Sequence, residues 1–203
     1  MKSIALNMPY RGERTYLHGT DIVPTVLATA QDVAGAPLDG PLSFSFKSFS
    51  DNQFDMVVFE DGDELARPDN GMVYFDVTTA AGPVRGWLVR SARAVEERRP
   101  FDESEISDHV SIKGDSAQIA APTGLAPIEV IVPMTKHLHQ SRWPAPDERW
   151  ILSRLDLERP LRPGDVDTLT IEVIQNLKQR LTRSTLTTPA GTLGEIYFSR
   201  IPK

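Results

Sequence analysis

His18 lies in Tyr16-Leu17-His18-Gly19-Thr20-Asp21, directly ahead of the strongest helical pattern in the first half of the chain. A histidine titrates near neutrality, and a loop that feeds a helix commonly faces a cleft, so His18 is placed to take or give a proton. Asp21 follows three residues later and has two readings. It is either the acid partner of His18 or the cap of the helix, since aspartate before an apolar periodic run commonly caps. The second half offers Met134-Thr135-Lys136-His137-Leu138-His139-Gln140. His137 and His139 are two apart, so they share one side on a strand and diverge on a helix. A two-histidine metal site would need Glu129 or Asp147 to return through the fold, and no metal is expected. His109 stands in the acidic run Asp102–Asp108 and reads as solvated.

The elements that must position these residues follow from periodicity. Ile22, Val23, Val26, Leu27, Ala30 and Val33 recur at helical spacing, with Pro24 in the first turn and Gly35 after the last apolar residue. This predicts a helix of roughly three turns. Ile128, Ile131, Thr135 and Leu138 could form a matching helix face, but Glu129-Val130-Ile131-Val132 reads equally as a strand, with Pro133 marking the change. Thr168–Val173 alternates, with Leu169, Ile171 and Val173 on one face, and it is preceded by the turn chemistry of Pro163-Gly164-Asp165.

Two segments look like copies. Val77–Val84 followed by Gly86-Trp87-Leu88-Val89 can be laid against Leu186–Leu193 followed by Gly194-Glu195-Ile196-Tyr197, each a candidate hairpin with an Ala-Gly tip. An upstream strand pair precedes each: Leu42–Phe46 with Phe54–Phe59, and Trp150–Leu155 with Thr168–Ile174. A duplication would make two halves, 1–98 and 99–203, joined where proline and charge interrupt the pattern.

With 203 residues, the chain can bury a sizeable core. Its net charge of -6 argues against a nucleic-acid surface. The one basic cluster, Arg90–Arg99, is diluted by glutamates and reads as a solvated helix or linker. The absence of cysteine excludes disulfides and thiolate chemistry. No stretch approaches a signal peptide or a membrane span, which makes a cytoplasmic protein without membrane contact the expectation. Neither a phosphate-cradling glycine loop nor a Gly-x-Ser-x-Gly elbow occurs, and no cofactor is expected.

The run Leu157-Glu158-Arg159-Pro160-Leu161-Arg162-Pro163-Gly164-Asp165, leading into the next strand, resembles a segment that recurs in the hot-dog superfamily. His18, Pro24, Val26 and Leu27 resemble the approach to the active site in the β-hydroxyacyl carrier-protein dehydratases of that superfamily. The resemblance implies an α+β hot-dog fold, an antiparallel sheet wrapped around a central helix, here as two fused halves. It implies an acyl thioester on coenzyme A or an acyl carrier protein as partner, and dehydratase-like or thioesterase-like chemistry with His18 as base or carbonyl-orienting group. Gly19, Thr20, Pro24, Val26, Leu27 and Trp143 would line the substrate path, the helix N-terminus polarising the thioester carbonyl. In hot-dog dimers the tunnel lies at the seam of the halves, so His137 or His139 would be the contribution of the second half. The family acid, six residues after the proline, is Ala30 here. A non-catalytic acyl-binding or assembly protein is therefore the alternative, and exposed sheet edges would favour a homodimer.

Overall fold

The computed structural model describes residues 2–60, 66–119 and 124–203. The chain divides into two compact units, Met1–Phe101 and Asp102–Lys203.

In the first unit, strand β1 (Lys2–Ala5) and the two-residue β2 (Tyr10–Arg11) lead to helix α1 (Gly19–Ala34). Strands β3 (Leu38–Phe46), β4 (Asn52–Val58), β5 (Gly71–Thr79) and β6 (Gly82–Ala94) follow, then β7 (Arg98–Arg99). The sheet is antiparallel in the order β1-β4-β6-β5-β3, and β2 pairs with β7 in parallel. Strand β5 alternates without a break, burying Val73, Phe75 and Val77. Against that face α1 buries Ile22, Val23, Val26 and Ala30 and packs on β3, β5 and β6. The helix stops where the pattern predicts: Gly35 has φ 60° and its N–H donates to the Gln31 carbonyl.

The second unit opens with α2 (Ser104–Ser107), β8 (Val110–Lys113) and β9 (Ser116–Ile119), followed by α3 (Pro127–Arg142). Strand β10 (Glu148–Leu157) runs through a 3-10 turn at Pro163–Val166 into β11 (Thr170–Leu177), β12 (Leu181–Thr188) and β13 (Gly191–Pro202). The order is β10-β13-β12-β11-β9-β8, all antiparallel. Helix α3 packs on β9 and β10 and buries Val130, Ile131, Met134 and Leu138. Each unit is thus a long apolar helix laid on an antiparallel sheet, which is the hot-dog arrangement.

Of the two readings open for Glu129–Val132, the structure takes the helix, because Pro127 occupies the first helical position and the Glu129 carboxylate accepts from the Ala126 N–H at 3.1 Å. Several other expectations are corrected. Helix α1 begins at Gly19, two residues ahead of Asp21, which places Pro24 inside the helix and on its solvent side. The upstream strands do not pair with each other: β3 pairs with β5 and β4 with β1 and β6, while β10 pairs with β13 and β11 with β9 and β12. The basic run is not a solvated helix or linker, since Arg90–Ala94 completes β6 and Arg98–Arg99 forms β7. The reason is Arg93, whose guanidinium ties the strand end to the Leu6 and Phe54 carbonyls, Asn7 and Asp55.

The Arg-Pro-Leu-Arg-Pro-Gly-Asp run is a staple. Arg159 grips both oxygens of Asp165 at 2.8 and 2.7 Å, and Asp165 also accepts from the Arg162 N–H at 2.6 Å. Those bonds, the Arg159 bond foremost, hold the Asp165 carboxyl below its usual range. They close the 3-10 turn that re-aims the chain from β10 to β11.

Candidate functional site

The candidate site in the first unit lies at the N-terminus of α1. His18 is the residue before the helix, extended at φ -96° and ψ 146°, and its carbonyl accepts from the Asp21 and Ile22 N–H groups. Its Nδ1 lies 2.8 Å from the hydroxyl of Thr20, which is fully buried. In the tautomer that donates Nδ1–H to Thr20, Nε2 carries the lone pair a general base uses. The ring is half-buried between Tyr16 and Phe101, with centroid separations of 6.3 and 6.4 Å. Gly19 and Thr20 supply the first two amides of α1, which have no carbonyl four residues back within the helix.

Asp21 does not cap α1, and its side chain makes no capping bond. It is 5% exposed, and its Oδ2 accepts from Arg11 Nε at 2.6 Å. The guanidinium of Arg11 in turn stands 4.9 Å over the Phe101 ring. A buried ion pair of this kind costs desolvation on both sides and persists only when both partners are present. Val26 is core, Leu27 is half-buried and Pro24 is exposed. Ala30 is in the core at 0% exposure, so no carboxylate stands at that position of α1.

The histidines of the second unit separate as a helix requires. His137 is half-buried, and His139 points into the core. The His139 Nε2 lies 2.8 Å from Thr182 Oγ1, and the ring is stacked on Trp150 at 4.6 Å, beside Phe198 and Trp143 at 5.3 and 5.7 Å. Burial, with help from the nearby Arg200 charge, pushes its pKa down to about 3, so it is neutral at ordinary pH. Trp143 ends α3 and lines an open cavity of about 420 Å³ with Trp150, Lys136, Gln140, Arg149 and Lys203. His109 is exposed, as its acidic setting predicts.

Sequence reasoning missed Arg11 and Phe101. Neither carries a local signal. Arg11 arrives through β2 and Phe101 from the segment after β7, and the parallel β2–β7 bridge is what brings those two stretches together.

No protein-family model matches the sequence, and neither does any curated protein. Solved structures similar to the chain include the pyran synthase domain from module nine of the sorangicin pathway, at 10% identity over 99% of this chain and 92% of that one, TM-score 0.49. A second is the tesB protein of Mycobacterium avium subsp. paratuberculosis, at 11% identity over 98% and 91%, TM-score 0.47. A third is the dehydratase domain from the CurF module of curacin polyketide synthase, at 9% identity over 93% and 84%, TM-score 0.44. No helix among the described residues is long and apolar enough to cross a membrane.

Proposed function

We propose that the chain binds an acyl thioester, carried on coenzyme A or an acyl carrier protein, and hydrolyses it with His18 as general base. The observation that carries the reading is the placement of His18. A half-buried imidazole stands one residue before a long helix, oriented by a buried threonine, beside the first open amides of that helix.

The step that fits these groups is short. Nε2 takes a proton from water, the hydroxide adds to the thioester carbonyl, and the amide of half-buried Gly19 stabilises the oxyanion. Collapse breaks the C–S bond, and the imidazolium returns its proton to the leaving thiolate. Dehydration would need a second group to protonate a departing β-hydroxyl. Asp21 is committed to Arg11 and Ala30 carries no acid, so hydrolysis is favoured over dehydration. The same two residues favour a second reading, an acyl-binding protein without turnover.

Mass spectrometry of the purified protein mixed with acyl-CoA and acyl-carrier-protein thioesters separates the readings. Loss of the acyl group is the expected result. Loss of water would replace hydrolysis with dehydration, retained complexes of unchanged mass would support the binding protein, and neither signal would overturn both.

A further inference from the structure

The far end of β11 has a bare edge. Its pairing with β9 stops at Glu172, and the last bond on that side runs from the Val173 N–H to the Asp115 carbonyl at 2.9 Å. On the other side β11 continues against β12 as far as Leu177, so among the described residues Ile174–Leu177 has a strand partner on one side only. Ile174 falls where the register against β12 shifts, between Val173 and Gln175. Ile174 and Leu177 are each 49% exposed, and among the described residues they are the two large apolar side chains left in solvent. Strands β1 and β8 also have one partner each, but they are four residues long and carry exposed Lys2 and Lys113, the ordinary way of blunting an edge. The run Val173-Ile174-Gln175-Asn176-Leu177 has neither charge nor proline, so nothing in it resists another strand.

An open edge flanked by exposed apolar side chains takes an added strand through main-chain hydrogen bonds. The charges at its two ends select which strand. Glu172 precedes the run and Lys178 follows it, both are exposed, and neither has a charged partner among the described residues. We infer that this edge is a dimer interface, in which β11 pairs antiparallel with β11 of a second copy about a two-fold axis near Gln175. Antiparallel pairing of identical strands sets the start of each against the end of the other, so Lys178 of each copy approaches Glu172 of the partner subunit. A parallel arrangement would set glutamate beside glutamate and lysine beside lysine, which is unfavourable. Ile174 and Leu177 of the two copies lie together across the axis and leave water. The interface is independent of the chemistry at His18.

The test is the mass of the full chain in solution, by sedimentation equilibrium across protein concentration. The wild type should pass from one chain to two and stop there. Ile174→Lys/Leu177→Lys should weaken association about tenfold or more with an unchanged circular dichroism spectrum. Glu172→Lys and Lys178→Glu each set like charges across the axis and should each weaken the dimer about tenfold. An equimolar mixture of those two variants should form a mixed dimer at wild-type strength, because every charged contact then joins a lysine to a glutamate. The rescue also reports that both variants are folded. A wild type that stays monomeric up to about 1 mM would overturn the interface. A dimer that none of these variants weakens would place the contact on another surface, and growth beyond two chains would mean open-ended pairing; either result overturns it. Charge variants that mixing does not restore would overturn the antiparallel two-fold pairing.

Discussion

The two units have the same succession of elements but different sheets. In each, a helix is followed by four strands, the last two forming a hairpin tipped by Ala80-Ala81 or Pro189-Ala190. In the first unit the hairpin lies with its second strand, β6, against β4; in the second its first strand, β12, lies against β11. The links decide this. Strands β11 and β12 are joined by Lys178-Gln179-Arg180, with Lys178 and Gln179 both at positive φ, and so short a turn leaves no neighbour but the next strand. The link from Val58 to Gly71 is long enough for β5 to pass beyond β6. Topology here is set by turn length, while the helix and its apolar stripe are common to both.

The sharpest shared feature is a glycine in the second hairpin strand. A Cβ on Gly86 would lie 2.0 Å from the Val57 carbonyl oxygen, and one on Gly194, at φ 145°, would lie 2.1 Å from that of Asp156. Gly86→Ala and Gly194→Ala should each cost about 5 kcal/mol or more, read as loss of the cooperative denaturant transition. Wild-type stability in either variant would mean that the close strand approach is not what the two hairpins share.

Next in size is the acid at the third helical position. Asp21 is buried on Arg11, whereas Glu129 makes a single exposed bond, accepting from the Ala126 N–H ahead of its helix. Arg11→Ala should cost about 3–5 kcal/mol, because it leaves a buried charge uncompensated. Glu129→Ala should cost about 1 kcal/mol or less. Equal losses on urea unfolding would erase the distinction.

His139 has a folded pKa depressed to about 3 against an ordinary 6.5, so below pH 6.5 the unfolded chain binds the extra proton. Its contribution is therefore lost as pH falls from about 6.5 toward 3, by about 1.4 kcal/mol per pH unit. His139→Phe should flatten that part of the pH–stability curve, and an unchanged slope would contradict the burial. The smallest effect lies at the turn. Replacing Lys178-Gln179 by Asn-Gly suits the positive φ values and should raise stability by about 1 kcal/mol or less.

What the sequence revealed was local. The stripe from Ile22 to Val33 and the stop at Gly35 are readable because helix periodicity and a left-handed end are properties of adjacent residues. The hairpin tips and the glycines 86 and 194 align for the same reason. The start of α1 was hidden, since histidine is a poor capping signal and Asp21 a good one; only Arg11, arriving through the β2–β7 bridge, takes that carboxylate elsewhere. The start of α3 was legible in Pro127 and Glu129 but competed with a β-branched run. The end of β6 depended on the tertiary network of Arg93, and sheet order on links whose length, not composition, carries the information.

The central claim is that the histidine at the start of α1 acts on a thioester, whereas those on α3 do not. The most direct test is the rate of acyl-CoA and acyl-carrier-protein thioester consumption by the wild type, His18→Ala and His137→Ala, with circular dichroism to confirm that each is folded. The account predicts a fall of about 10²–10⁴-fold for His18→Ala and a change within about twofold for His137→Ala. Equal rates in the wild type and His18→Ala would contradict it.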